Sequence, residues 1–119
     1  MARRRRNALV VLVLVAGMSV GTMGGAGAVT VGVRGISPDV WSPKVKRIAP
    51  GTVVRWFAVN RGHNVRSRGG NWSFFRSLPR GTSVARRFNG RGTFRYYCTI
   101  HGHAGPGYCH GMCGSIVVS

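Results

Sequence analysis

Beyond residue 28, no run of ten or more residues repeats apolar side chains at three-to-four spacing, so no amphipathic helix is predicted there. Short segments with strand character recur instead. Residues 29–33 (Val-Thr-Val-Gly-Val) alternate, residues 44–48 follow a Ser-Pro break, and residues 52–59 are β-branched and aromatic behind a Pro50-Gly51 turn signal. Residues 83–88, 93–98 and 116–118 continue the series. Glycine-rich turns separate these runs at Gly69-Gly70, at Gly81, at residues 89–92 and at residues 102–107. Many short strands with such punctuation predict an all-β sandwich or small barrel. Residues 29–119 suffice to close one core of that kind, and they show neither an internal repeat nor a second domain. Trp41, Trp56, Phe57, Trp72, Phe74, Phe75, Phe88, Phe94 and Tyr96 are expected to be core or half-buried sheet residues.

The first 28 residues read as an address. Arg3 to Arg6 form a positive cluster, residues 8–16 are uninterrupted apolar, and a small-residue stretch ends in Ala26-Gly27-Ala28. Charged start, short apolar core and small-residue cleavage site are the parts of a secretory signal peptide. Residues 1–28 are therefore expected to direct export to the periplasm, cell envelope or medium, with Sec and Tat routes both open. An uncleaved membrane anchor is the competing reading, although the apolar run is short for a span.

The chain has 18 Lys+Arg against one acidic residue, Asp39, for a formal net charge of +17. A single carboxylate excludes two-carboxylate hydrolysis and an acidic calcium or magnesium cage. The charge survives removal of the address: residues 29–119 keep 14 basic side chains and Asp39, a net +13. Arg61, Arg66, Arg68, Arg76 and Arg80 are the densest group. Interleaved arginines and aromatics also suit single-stranded nucleic acid, but export and the lack of a recognised motif argue against it. The charge instead suggests steering towards an acidic redox partner or an anionic envelope surface, or simply a compositional preference for arginine.

The chemistry is concentrated near the C-terminus. Cys98, His101 and Met112 lie between two strand candidates, and His63 lies upstream, just after the run ending at Val59. Two imidazoles, a thiolate and a weak axial thioether form the donor set of a blue-copper centre. Four segments, taken in order, resemble the cupredoxins, specifically small plastocyanin- and azurin-like blue copper proteins. They are residues 50–56 (Pro-Gly-Thr-Val-Val-Arg-Trp), 62–65 (Gly-His-Asn-Val), 97–101 (Tyr-Cys-Thr-Ile-His) and 111–118 (Gly-Met-Cys-Gly-Ser-Ile-Val-Val). The resemblance covers essentially all of residues 29–119. It implies an eight-stranded Greek-key sandwich holding one type 1 copper ion at one end. His63, Cys98 and His101 would be the ligands and Met112 the axial thioether. Asn64 would tie the His63 loop to the Cys98 loop beside the sulfur.

Two features depart from the plastocyanin-like pattern. Met112 comes eleven residues after His101, where that pattern places it five after, so a longer loop is expected between them. His103 also offers an azurin-like Cys-x4-His spacing, making it the alternative second imidazole. His110 is expected to be exposed. If the metal takes Cys98, then Cys109 and Cys113 remain, and export makes a disulfide between them plausible. A zinc site built from Cys98, Cys109, Cys113 and a histidine is the competing arrangement, but it would leave His63 without a role. The expected function is one-electron transfer without catalysis, by a monomer that meets a redox donor and acceptor. Copper binding or delivery without electron transfer is the alternative.

Overall fold

The computed structural model describes residues 28–119. The expected signal or anchor at residues 1–28 lies, except for Ala28, outside the described residues. Nine strands follow in order: β1 (Thr30–Ile36), β2 (Val40–Ser42), β3 (Val45–Ile48), β4 (Thr52–Ala58), β5 (His63–Arg68), β6 (Phe75–Leu78), β7 (Ser83–Phe88), β8 (Gly92–Gly105) and β9 (Tyr108–Val118). They form a four-stranded sheet in the order β2-β1-β4-β7 and a five-stranded sheet in the order β3-β9-β8-β5-β6. Two pairings are parallel, β1 with β4 and β3 with β9, so the chain crosses between the sheets. This is the all-β sandwich expected from the strand signals, with nine strands rather than eight.

Alternation explains the core. In β4, Thr52, Val54, Trp56 and Ala58 point inward, and in β9 Met112, Gly114, Ile116 and Val118 do the same. Between the sheets these residues meet Val33, Trp41, Val65, Leu78, Phe88 and Tyr96. Trp72, Phe74 and Phe94 are partly buried against that cluster. Phe57 and Phe75 are exposed, so the expectation of a core or half-buried place fails for those two. Each stands on the outward side of its strand.

The predicted loop between Cys98 and Met112 is a β-hairpin. Strands β8 and β9 remain paired through Gly102↔Gly111, His103↔His110, Ala104↔Cys109 and Gly105↔Tyr108, with a register break between Tyr97 and Gly102. Pro106 and Gly107, the latter at φ 77°, form the turn, so only the last part of the predicted glycine-rich turn is one. The extra residues thus lengthen two strands, and the break in register re-aims residues 98–101. The structure joins Cys109 to Cys113 by a disulfide, Cα–Cα 6.2 Å, along the β9 arm of this hairpin.

Candidate metal centre

Two strands bring the three donors together. His63 is the first residue of β5, while Cys98 and His101 lie within the register break of β8. The Cys98 Sγ lies 3.9 Å from His63 Nδ1 and 3.7 Å from His101 Nδ1, and the two Nδ1 atoms are 3.1 Å apart. A triangle with these sides has a circumradius of about 2.1 Å, which matches first-row metal bonds to imidazole nitrogen and thiolate sulfur. The donor set therefore fits one copper ion, and softness supports the choice: thiolate suits Cu(I) and imidazole suits either oxidation state. Met112 is fully buried. A Cβ placed on Gly35 would lie 3.0 Å from the Met112 methyl and 2.7 Å from the His63 ring, so the thioether arm and that imidazole border the same small space.

His103 is elsewhere. It is exposed on the hairpin, its Nε2 lies 3.2 Å from the Tyr108 hydroxyl, and it faces His110 across the strands. His110 is exposed as well. Cys98 is the free cysteine among the described residues and is buried. With Cys109 and Cys113 bonded to each other, a zinc site needing all three sulfurs cannot form.

Asn64 ties the two ligand-bearing strands. The backbone pairing of β5 with β8 stops at Arg66↔Tyr97, short of both Cys98 and His63. Beyond it, the Thr99 amide donates to Asn64 Oδ1 at 2.8 Å, and Asn64 Nδ2 donates to Thr99 Oγ1 at 2.7 Å. Asn64 is 7 % exposed, so these bonds are shielded from competing water.

Three residues around the donors were not legible as site residues. Gly35, on the inward face of β1, leaves room for the His63 ring. Asn60 Oδ1 lies 2.8 Å from His63 Nε2 and, as an amide oxygen, can only accept there. Asp39, which the sequence treats only as proof that carboxylate chemistry is missing, stands beside the centre. Its Oδ2 is 3.9 Å from His101 Nε2, and its Oδ1 is 3.2 Å from Arg61 Nε. The hydrogen bond from Asn60 holds the Asp39 carboxyl below its ordinary range, and the neighbouring His101, Arg61 and His63 act in the same direction. Burial, followed by the nearby His101, pushes His63 down, which favours the neutral imidazole that a metal requires.

Gly35 gives a direct test of this packing. Gly35→Ala is expected to lower folding stability by about 1–3 kcal/mol, because the new methyl meets a buried ring held at its far nitrogen. Copper affinity should fall roughly tenfold or more as the ring is displaced. Gly32→Ala on the same strand, where the nearest atom is 3.3 Å away on the Phe57 side chain, should leave copper affinity unchanged. Unfolding curves and copper competition titrations on the two variants check both expectations.

No protein-family model and no curated protein matches the chain. Solved structures do. A purple cupredoxin from Nitrosopumilus maritimus aligns with TM-score 0.58 and 24% identity, over 74% of this chain and 98% of that one. A copper-containing nitrite reductase from Thermus scotoductus SA-01 aligns with TM-score 0.61 and 24% identity, over 77% of this chain but only 22% of its own. A pseudoazurin from Sinorhizobium aligns with TM-score 0.59 and 22% identity, over 76% of this chain and 73% of its own. The fold is therefore that of the cupredoxins.

Proposed function

We propose that the chain is an exported type 1 copper protein that carries single electrons and performs no catalysis. The observation that carries this reading is the convergence of His63 Nδ1, Cys98 Sγ and His101 Nδ1 on one point, at distances a copper ion fills. The cupredoxin fold of its structural neighbours supports it. So does the Cys109–Cys113 disulfide, since such bridges persist in oxidising compartments.

Bound between these donors, copper would supply a one-electron couple. The chain's own residues determine how it would work. His63 and Cys98, 2 % and 0 % exposed, keep water from that side and hold their donor atoms in a packed wall. Trp41 packs against the His63 ring at 5.9 Å between centroids, and Asn64 fixes the strand that carries Cys98. Donors so held change little between oxidation states, which keeps the reorganisation small. His101 is the more open ligand, its side chain 17% exposed, and its ring edge is the natural exit for an electron. Exposed Arg61, Arg66, Arg76 and Arg80 suit an acidic redox partner, approached by a monomer, or an anionic envelope surface.

Copper handling without electron transfer is a second reading, favoured by one feature. His103 and His110 face each other on an exposed hairpin arm that continues directly from the ligand strands. One experiment separates the two. Purified protein lacking residues 1–28 is titrated with Cu(II), followed by its visible spectrum and then by potentiometry. Electron transfer predicts one equivalent bound, an intense thiolate-to-copper band and reversible one-electron cycling. A colourless, labile complex would select handling, and no retained copper would reject both.

A further inference from the structure

The geometry points to Asp39 and Asn60 as a positioning pair that decides which nitrogen of each imidazole bears the proton, and so keeps both Nδ1 lone pairs aimed at the metal. The inference rests on the copper reading above and deepens it. An ionised carboxylate can only accept hydrogen bonds. Asn60 Nδ2 lies 2.9 Å from Asp39 Oδ1, so the amide NH2 must face Asp39 and the amide oxygen must face the other way. That oxygen is 2.8 Å from His63 Nε2. An amide oxygen also only accepts, so His63 carries its proton on Nε2 and its Nδ1 is a bare lone pair. The choice of amide orientation and imidazole tautomer, ordinarily ambiguous, is therefore imposed by one acceptor-only group.

The second oxygen of the same carboxylate acts on the other histidine. Asp39 Oδ2 is 3.9 Å from His101 Nε2, too far for a hydrogen bond but close enough to favour a proton on that nitrogen over a lone pair. His101 Nδ1 then also presents a lone pair. Two such nitrogens 3.1 Å apart, with the Cys98 sulfur below 4 Å from each, repel one another unless a cation lies between them. The lone acid in a chain of net charge +17 is thus spent on arranging this site. Metal-ligating histidines generally have their other ring nitrogen held in this way. What is particular here is one carboxylate–amide relay serving both rings. Asp39 is suited to the place in its backbone too. It stands in the turn between β1 and β2 at φ 77°, with its amide donating to Ile36 O at 2.7 Å.

That dihedral angle supplies clean variants, because glycine adopts it freely and asparagine tolerates it. Asp39→Gly removes the acceptor and leaves Asn60 free to turn over. In metal-free protein, 15N–1H spectra of the imidazoles should show His63 and His101 as Nε2–H in the wild type, and a mixture of tautomers for His63 in Asp39→Gly. Copper affinity should fall about 10–100-fold with it. Asp39→Asn keeps an acceptor for the Asn60 amide but loses the charge. The His63 tautomer should persist, while the Cu(I)/Cu(II) ratio at a fixed potential rises roughly threefold to tenfold, tenfold being 59 mV for one electron. The partial neutralisation by Arg61 sets the lower figure. Folded Asp39→Gly protein with unchanged tautomers and unchanged copper affinity would overturn the inference. The tautomers are read without metal, so a wild type that takes no copper yet shows both Nε2–H forms defeats the copper reading alone.

Discussion

Copper-loaded Cys98→Ser protein is expected to be colourless, with affinity for copper reduced on the order of 100-fold or more. That figure extends the 10–100-fold typical for losing a group that merely supports a ligand. The expectation follows from what the sulfur is. Cys98 is fully buried, is the free thiol among the described residues, and is the one soft anionic donor facing two imidazoles. A serine hydroxyl stays protonated near neutral pH and has no low-energy electron pair to transfer into Cu(II). The substitution changes one buried atom for a slightly smaller one, so the fold should persist. Circular dichroism establishes that, and loss of colour then reports on the metal site alone. The Cys109→Ser/Cys113→Ser double variant is the matched control. Its sulfurs are bonded to each other on the hairpin and should contribute nothing to the band. An intense band retained in Cys98→Ser, or lost in the double variant, would mean that copper sits elsewhere.

The sheet framework was legible wherever side chains alternate or carry β-branches. Residues 52–59 and 83–88 correspond to β4 and β7 almost without adjustment, because one face of each meets the core. Strand β5 was not legible. Its sequence, His-Asn-Val-Arg-Ser-Arg, holds one apolar residue, and what makes it a strand is pairing to β6 and β8 on either side. Strand β2, three residues long, falls below any periodicity signal. The hairpin beyond Cys98 reads as a loop because His101 to Gly107 carries three glycines and a proline. Pairing survives there because Gly102 and Gly111 stand opposite each other, and a side chain on Gly111, at φ 80°, would run into the His101 carbonyl. The donor residues are legible because their types and order are rare together. Their supports are not. Nothing local to Asp39 says that a turn between β1 and β2 will meet the segment after β4. That encounter arises from the parallel pairing of β1 with β4, which carries Gly35 alongside Ala58 and brings the following residues, Asn60 and Arg61, up to Asp39. The contact is a property of the sheet order, and sheet order is what short strand signals leave open.

Trp56→Ala should have the largest effect on stability, a loss of about 3–5 kcal/mol. Small domains hold only about 5–15 kcal/mol in total, so the metal-free variant is expected to be partly or wholly unfolded at ambient temperature. Trp56 is fully buried at the middle of β4. Its ring centroid lies 5.7 Å from Phe74, 6.3 Å from Phe88 and 5.3 Å from Tyr96, so one indole joins β4 to β7, to β8 and to the segment preceding β6. Removing it opens a cavity walled by rigid rings that cannot collapse to fill it. The damage reaches the metal centre through Tyr96, two residues before Cys98, and through Trp41, which packs on both Tyr96 and the His63 ring. Copper binds only the assembled donors, so it should restore much of the loss, by about 4 kcal/mol at a thousandfold excess over the dissociation constant. Trp56→Phe should be far milder than the alanine change. Phenylalanine keeps most of the buried ring and its contacts, so it opens a much smaller cavity. Denaturant titrations of both variants, with and without copper, decide the matter. A metal-free Trp56→Ala protein within about 1 kcal/mol of the parent would show that the two sheets are not held together through this residue.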